Sequence, residues 1–442
     1  MTNSRKIALD VLYDVFYKDA YSNISLGNSL NKYDLKDVDK GLITEIVYGT
    51  IKYRYTIDKI LSNFLRDDIK KMDKQILNIL RIGIYQLRYL DKVPSFAAVN
   101  ECVEISKEKS KKSSGLVNGV LRNYLRNKDK DFSIGNEVEK LSFQYSFPEW
   151  IVNLFIKQYG IVECKNILEG LNMRPNVTLR VNNLKSNYEE VWDRLIENNY
   201  NIEEGVICPE AINIVKGRNV EANPLFKEGY VTVQDESAML VAPALALEEG
   251  MTVLDLCSAP GGKTTHICEI MNNTGRVKAF DLHQNKLSLI EDNLNRLGIN
   301  NISLEVMDAT IYNSKLENIA DRVLIDVPCS GLGIIRKKPE IKYTKENKSL
   351  KALTKIQKNI MYNAAKYVKE GGILLYSTCT LNKEENEDNV KWFLKNNKDF
   401  QIEPIYFGER ENLLYDNGLL TILPNENMDG FFIAKLRKQS GR

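Results

Sequence analysis

Cys329 and Cys379 each follow a short apolar, β-branched run, in Asp326-Val327-Pro328-Cys329-Ser330-Gly331 and in Ser377-Thr378-Cys379-Thr380. A free cysteine is usually a small buried hydrophobe, and that suits Cys102, Cys164, Cys208 and Cys268. It does not suit two cysteines set beyond the carboxyl ends of strands, on the rim where open α/β sheets bind ligands. A thiol there is placed for chemistry on a ligand, and it acts as a nucleophile in its thiolate form. The seventh cysteine, Cys257, lies in Asp255-Leu256-Cys257-Ser258-Ala259-Pro260-Gly261-Gly262-Lys263-Thr264, which leaves another β-run and enters a helix. Small residues at 258, 259, 261 and 262 let backbone N–H groups approach a ligand at that helix N-terminus. A phosphate-binding P-loop would need glycine where Cys257 stands, and a GxGxxG fingerprint is absent. What remains is a first loop that binds a nucleoside at the carboxyl ends of a doubly wound sheet. Asp281, Asp308 and Asp326 close the later runs. Asp281 lies about 20 residues beyond Gly261, where a carboxylate accepts the hydrogen bonds of a ribose diol. Asp308 lies where an adenine would be met. Any one of these aspartates alone equally starts a turn or caps a helix. Carboxylates at successive ends, from Asp255 to Asp326, point to a single site.

The elements that must position these residues follow from periodicity. MTVLDL, RVKAFDL, NISLEVMD, DRVLIDVP and GGILLYSTC are short apolar runs separated by helical stretches, which predicts a parallel sheet with helices on both faces. Residues 148–235 mix helix and strand: PEWIVNLFIKQYG predicts a helix ending at Gly160, VTLRVN and YVTVQ predict strands, and YEEVWDRLIENN predicts a helix. Residues 127–146 are polar and suit a linker. Residues 1–130 carry apolar residues at helical spacing, as in Ile7, Val11, Leu12, Val15 and Phe16, in Ile43, Ile46, Val47 and Ile51, and in Ile76, Leu77, Leu80, Ile84 and Leu87. Pro94 is expected to stop the third of these helices and Ser95 to cap the next. Another helix is expected to begin at GLVNGVLRNYLR (115–126).

With 442 residues, 43% hydrophobic and 27% charged, the chain has room for about three domains. No apolar run approaches the roughly 20 residues that span a bilayer. The N-terminal stripe, broken by Asp10 and Asp14, suits an amphipathic helix and not a signal peptide, so a cytoplasmic location is expected. Net charge is only +2, but cations cluster locally. Lys107, Lys109, Lys111, Lys112, Arg122, Arg126, Lys128 and Lys130 form one run. Arg336, Lys337, Lys338, Lys342, Lys345, Lys348, Lys351, Lys355 and Lys358 form another. Such runs either neutralise phosphates or simply solvate a helix face. No CxxC pair occurs and only His266 and His283 are available, so neither a metal centre nor a disulfide framework is expected.

DLCSAPGGKT, DVPCSG and YSTCT together resemble the RNA 5-methylcytosine methyltransferase family of the RsmB/Nop group, and VQDESAML, IIRKKPEIKY and DGFFIAKL extend the likeness over 145–440. RIGIYQLRYL, VPSFAAVNECVEISK and GLVNGVLRNYLR resemble the NusB-like helical RNA-binding domain, which within the family points to the branch acting on small-subunit (16S) ribosomal RNA. The implied fold is multidomain: an all-α NusB-like domain (1–135), a small α+β subdomain of RRM/ferredoxin-like kind (136–235), and an α/β Rossmann-like class I methyltransferase domain (236–442). The resemblance implies S-adenosylmethionine as cofactor, with Cys257, Ser258, Ala259, Pro260, Gly261, Gly262 and Lys263 around its methionine part, Asp281 on the ribose, Asp308 near the adenine and Asp326 bordering the site. It implies Cys379 as the nucleophile that adds to carbon 6 of cytosine, Asp326 at N3, and Cys329 in release of the adduct. Lys263 or another cation nearby would favour the thiolate. An amino-methyltransferase would carry an Asn/Asp-Pro-Pro-aromatic motif where DVPCSG stands. The family often has a small residue at Glu236 and tryptophan at Tyr343.

The expected partner is free or partly assembled 16S ribosomal RNA, with no membrane and a monomeric chain. Methylation of another RNA, such as transfer RNA, is the nearest alternative. A non-catalytic RNA-binding assembly factor is a further one, and it predicts a damaged cofactor loop or a missing cysteine.

Overall fold

A computed structural model describes residues 3–108, 110–217 and 219–440, so Lys109 of the first basic run lies outside the described residues. The chain divides into two compact units. One comprises Met1–Asn172 with Ile335–Lys345, the other Met173–Ile334 with Glu346–Arg442.

The first unit is helical. The amphipathic segments form Ser4–Tyr17, Asp37–Lys52, Lys74–Tyr89 and Lys111–Arg126, joined by Ser22–Lys32, Arg54–Ser62 and Ser95–Lys107. Their apolar stripes meet in one core that includes Val11, Leu12, Ile46, Val47, Leu80, Ile84, Val117 and Leu121. Three local expectations change. The Lys74–Tyr89 helix ends before Pro94, and Pro94 itself takes the N-cap position of Ser95–Lys107, where no side chain caps. Proline suits that place because the first helical turn has no partner for its missing N–H. Half of the polar 127–146 stretch is helical: Asn136 and Glu139 form a reciprocal capping box that starts Glu137–Tyr145. Gly160, at φ +80°, interrupts helical geometry as expected, but Glu149–Gly170 resumes after the kink.

Residues 335–345 belong to this helical unit although they come from far along the chain. Glu340 accepts from the backbone N–H and hydroxyl of Ser22 at 3.1 and 2.8 Å, and the Tyr343 hydroxyl accepts from the Tyr55 N–H at 3.1 Å. Lys342 is 1% exposed and donates to the carbonyls of Lys52 and Ser146 at 3.2 and 3.0 Å. Burial holds its ammonium pKa well below the usual lysine value. Lys342 and the buried Arg336 are therefore not phosphate ligands, contrary to the expectation for the second basic run.

In the second unit, β1 (Val177–Val181), β2 (Asn201–Glu204), β3 (Ala211–Lys216) and β4 (Val231–Val233) make an antiparallel sheet in the order β2-β3-β1-β4, with the helix Tyr188–Glu197 packed on it. The larger sheet contains β5 (Thr252–Asp255), β6 (Arg276–Asp281), β7 (Ile302–Val306), β8 (Ala320–Asp326), β9 (Val368–Thr378), β10 (Phe400–Ile402), β11 (Leu413–Asp416), β12 (Leu419–Ile422) and β13 (Phe431–Lys438). The predicted runs supply five parallel strands in the order β9-β8-β5-β6-β7. The sheet is mixed, because β13 pairs antiparallel with β9 and carries β12 and β11 beyond it. Alternate residues enter separate cores on the two faces: Val253, Val277, Leu324 and Leu375 on one, Leu254, Phe280, Val323 and Leu374 on the other. That alternation explains why the parallel strands are continuous apolar runs.

Candidate active site

Because β5 to β9 run parallel, their carboxyl ends share one edge of the sheet. The order reverses at β5, whose neighbours are β6 and β8, and such a switch point opens a crevice above the strands. The Asp255–Thr264 segment lies at this point. Ser258 donates from its backbone and hydroxyl to the Phe280 carbonyl at 2.9 and 2.8 Å, and the Gly261 N–H closes a turn on the Ser258 carbonyl at 2.8 Å. Gly261 has φ +101°, and a Cβ there would stand 3.1 Å from Ile290, so the turn requires glycine. At Gly262, which opens the helix Gly262–Ile270, a Cβ would meet nothing nearer than 3.8 Å. Backbone N–H groups at this helix start are thus open to a ligand. Cys257 and Lys263 are partly exposed beside it.

Asp255 is buried and accepts from the Thr264 hydroxyl at 2.7 Å and the Cys257 N–H at 3.3 Å. Burial pushes its pKa up to about 7. Asp281 ends β6 with one oxygen accepting the His283 N–H at 3.0 Å. Asp308, just beyond β7, accepts from Thr310 at 2.9 and 2.7 Å. The loop, the open helix start and the carboxylate of Asp281 form a donor and acceptor set that fits a nucleoside cofactor.

Next to them, the Lys263 ammonium donates to Asp326 Oδ2 at 2.7 Å, and the Ser377 hydroxyl donates to Oδ1 at 2.9 Å. Burial alone would lower the Lys263 pKa. The Asp326 charge and hydrogen bond outweigh it, with Cys379 adding to them, so the pKa is raised and Lys263 stays cationic. The sulfurs of Cys329 and Cys379 stand 3.2 Å apart. Hydrogen bonding to Cys379, followed by burial, holds the Cys329 thiol well above its usual pKa. The remaining cysteines, Cys102, Cys164, Cys208 and Cys268, are buried.

The structure thus forms two close pairs, Lys263 with Asp326 and Cys329 with Cys379, near enough for Cys379 to act on the Lys263 charge, while Asp281 and Asp308 lie along the same strand edge toward β7. Sequence reasoning missed Ser377, which faces the other side of Asp326. It also missed Arg180, whose guanidinium donates to the Gly262 carbonyl at 2.8 Å and to Glu269 at 2.7 and 2.9 Å, anchoring the cofactor-loop helix on β1. The signal for Arg180 was a charged residue inside the apolar alternation of VTLRV. Glu236 is fully buried and accepts from the N–H groups of Val206, Ile207 and Cys208, which fixes the turn before β3. Tyr343 lies in the helical unit against Arg54, 4.7 Å from ring centre to guanidinium. Among the described residues no cluster of His, Cys, Asp and Glu forms a metal site, and no helix is long and apolar enough to cross a membrane.

Residues 242–437 match the family described as 16S rRNA methyltransferase RsmB/F, residues 2–126 the NusB family, and residues 147–221 the ferredoxin-like domain of RsmF/B-like methyltransferases. The chain is 38% identical over 445 residues to the "Probable ribosomal RNA small subunit methyltransferase B" of Bacillus subtilis (strain 168), covering 99% of both chains. Among solved structures it is similar to PH0851, with TM-score 0.85 and 27% identity over 99% of each chain. It is also similar to NSun6 from Pyrococcus horikoshii, solved with SFG, with TM-score 0.60 and 25% identity over 67% of this chain and all of that one. On the full-length relationship and the three matched domains, the chain belongs to the RsmB/F family of 16S rRNA methyltransferases.

Proposed function

We propose that this chain methylates carbon 5 of a cytosine in small-subunit (16S) ribosomal RNA, with S-adenosylmethionine as methyl donor and Cys379 as covalent nucleophile. The observation that carries the reading is the pair of thiols, Cys329 and Cys379, held 3.2 Å apart beside the Lys263–Asp326 pair. When bound, S-adenosylmethionine supplies an electrophilic methyl group, and SFG in the similar NSun6 structure is an analogue of it. Carbon 5 of cytosine is a poor nucleophile. Addition of the Cys379 thiolate to carbon 6 breaks the ring conjugation and makes carbon 5 enamine-like, which divides one difficult step into easier ones. Asp326 hydrogen-bonds or delivers a proton to N3, which stabilises the negative charge that enters the ring. After methylation the carbon 5 proton passes to water in the site, with Cys329 assisting release, as the bond between Cys379 and carbon 6 breaks and the thiolate returns.

Residues 257–263 hold the methionine part of the cofactor, Asp281 the ribose, and Asp308 lies at the adenine end. The target carbon must be unpaired or flipped to reach Cys379. Exposed Lys107, Lys111, Lys112, Arg122, Arg126, Lys128 and Lys130 of the helical unit supply phosphate contacts. Action as a monomer in the cytoplasm completes the reading. A non-catalytic assembly role is disfavoured, because the cofactor loop and both cysteines are present.

The test is to incubate the protein with labelled S-adenosylmethionine and unmodified 16S ribosomal RNA, and to map 5-methylcytosine by bisulfite sequencing. One modified cytosine that disappears in Cys379→Ala is the expected result. Full activity in Cys379→Ala removes the covalent mechanism. Transfer to transfer RNA in place of ribosomal RNA moves the substrate assignment.

A further inference from the structure

Glu385 is fully buried, and among the described residues its carboxylate is held by neutral donors and not by a cation. Oε2 accepts from the Ser330 N–H and Gln357 Nε2, each at 2.9 Å. Oε1 accepts from the Ser330 hydroxyl at 2.5 Å and Asn382 Nδ2 at 3.1 Å. Ser330 follows Cys329 and shares a 2.7 Å hydrogen bond with the hydroxyl of Thr380, which follows Cys379. Gln357 also donates to the carbonyl of Pro328, on the other side of Cys329, at 3.0 Å. The carboxylate therefore holds the loop after β8 through Ser330, its partner Gln357 holds the Pro328 carbonyl on the other side of the thiol, and Asn382 and Thr380 tie that loop to the loop after β9. Burying a charge this completely is costly unless every lone pair is used, and the donors it uses come from the two cysteine loops and the helix Asn347–Tyr367 behind them.

We infer that Glu385 is a positioning residue that sets the separation of the Cys329 and Cys379 sulfurs, and through it the timing of adduct release. The inference rests on the reading that Cys379 adds to cytosine and Cys329 assists release. In Glu385→Gln the side chain keeps its shape, but one of its two terminal atoms becomes a donor. Either Ser330 N–H with Gln357, or Ser330 Oγ with Asn382, then loses its acceptor, and the Cys329 loop is free to shift.

Two readouts separate positioning from simple support of the fold. The first is turnover on 16S ribosomal RNA, together with the amount of covalent protein–RNA complex on a denaturing gel. The second needs no RNA: phenylarsine oxide reacts with two adjacent thiols, forming two As–S bonds and releasing water, so its affinity reports their spacing. For Glu385→Gln the expected result is about a hundredfold slower turnover, the scale of a catalytic group misplaced by an ångström. Covalent complex is then expected to accumulate, as is expected for Cys329→Ala, and arsenical affinity to fall about tenfold. Wild-type turnover together with wild-type arsenical affinity overturns the proposal. A variant that loses turnover without accumulating complex and keeps its arsenical affinity overturns it too. Should Glu385→Gln fail to fold, Ser330→Ala removes one donor and leaves the carboxylate. A smaller shift in the same two readouts supports the proposal, and no shift in either overturns it. If the wild-type protein forms no Cys379 adduct with 5-fluorocytosine RNA, the covalent reading falls, and the arsenical affinities alone decide the positioning role.

Discussion

Lys263 Nζ lies 2.7 Å from Asp326 Oδ2, and the Lys263 ammonium also stands 5.1 Å from the centre of the Phe431 ring. The first residue comes from the cofactor loop and the second from the end of β8, so the pair joins the two halves of the proposed site. Replacing Lys263 with methionine keeps an unbranched side chain one atom shorter and removes the charge. Single-turnover methyl transfer is expected to fall by about a hundredfold, the usual scale for losing one preorganised electrostatic contact. A loss smaller than about threefold would show that the charge takes no part in the chemistry.

The thiols are expected to separate by phenotype. Cys329→Ala should trap a covalent complex with unmodified RNA on a denaturing gel, since attack precedes release. Cys379→Ala should trap none, and the double variant should behave as Cys379→Ala. Equal trapping by both single variants contradicts the assigned order.

Asp255 gives the site a pH signature. Its pKa is about 7 in the folded protein against 3.8 ordinarily. Between those values the native protein holds a proton that the unfolded chain has released. The associated stability is complete below pH 3.8 and is lost as pH rises toward 7, by ~4 kcal/mol in all. Asp255→Asn removes the titration, so its stability relative to wild type should improve steadily from pH 4 to pH 7.5 in chemical melts. A difference that stays flat across that window refutes the assignment.

Arg180 and Glu269 are 0% and 4% exposed in their side chains and form a buried ion pair at 2.7 Å. Arg180→Met leaves Glu269 as an unpaired buried charge and should cost about 3–5 kcal/mol. Pairing it with Glu269→Leu should restore part of that stability. Because Arg180 also holds the Gly262 carbonyl, calorimetry should show weaker S-adenosylmethionine binding in both variants. Unchanged binding would mean that the helix start keeps its place without β1.

Much of this was legible in the chain. The apolar runs ending in Asp255, Asp281 and Asp326, the last of which precedes Cys329, and the run preceding Cys379 are local patterns, and each maps onto one strand and the loop after it. Strand direction is not local, and nothing within DGFFIAKL shows that β13 pairs antiparallel with β9. The Ser22–Lys32 helix was missed because its buried positions, Ser22, Ser25 and Leu26, make a weak apolar stripe. Lys342 looked like one cation of a phosphate-binding run because its partners, Lys52, Ser146 and Asn172, are 170 or more positions away. Glu385 escaped for the same reason. A carboxylate in a polar stretch looks solvated until donors from residues 330, 357 and 382 are folded around it.

The helical unit closes only with residues 335–345 in place. Its boundaries therefore cannot be drawn with a single cut. A fragment stopping at Asn172 would carry every long helix of the unit, yet it would leave Ser22, the Lys52 carbonyl and the Tyr55 N–H without Glu340, Lys342 and Tyr343. For an engineer, the transplantable module is a two-piece part, and grafting it onto another enzyme means grafting an eleven-residue plug as well.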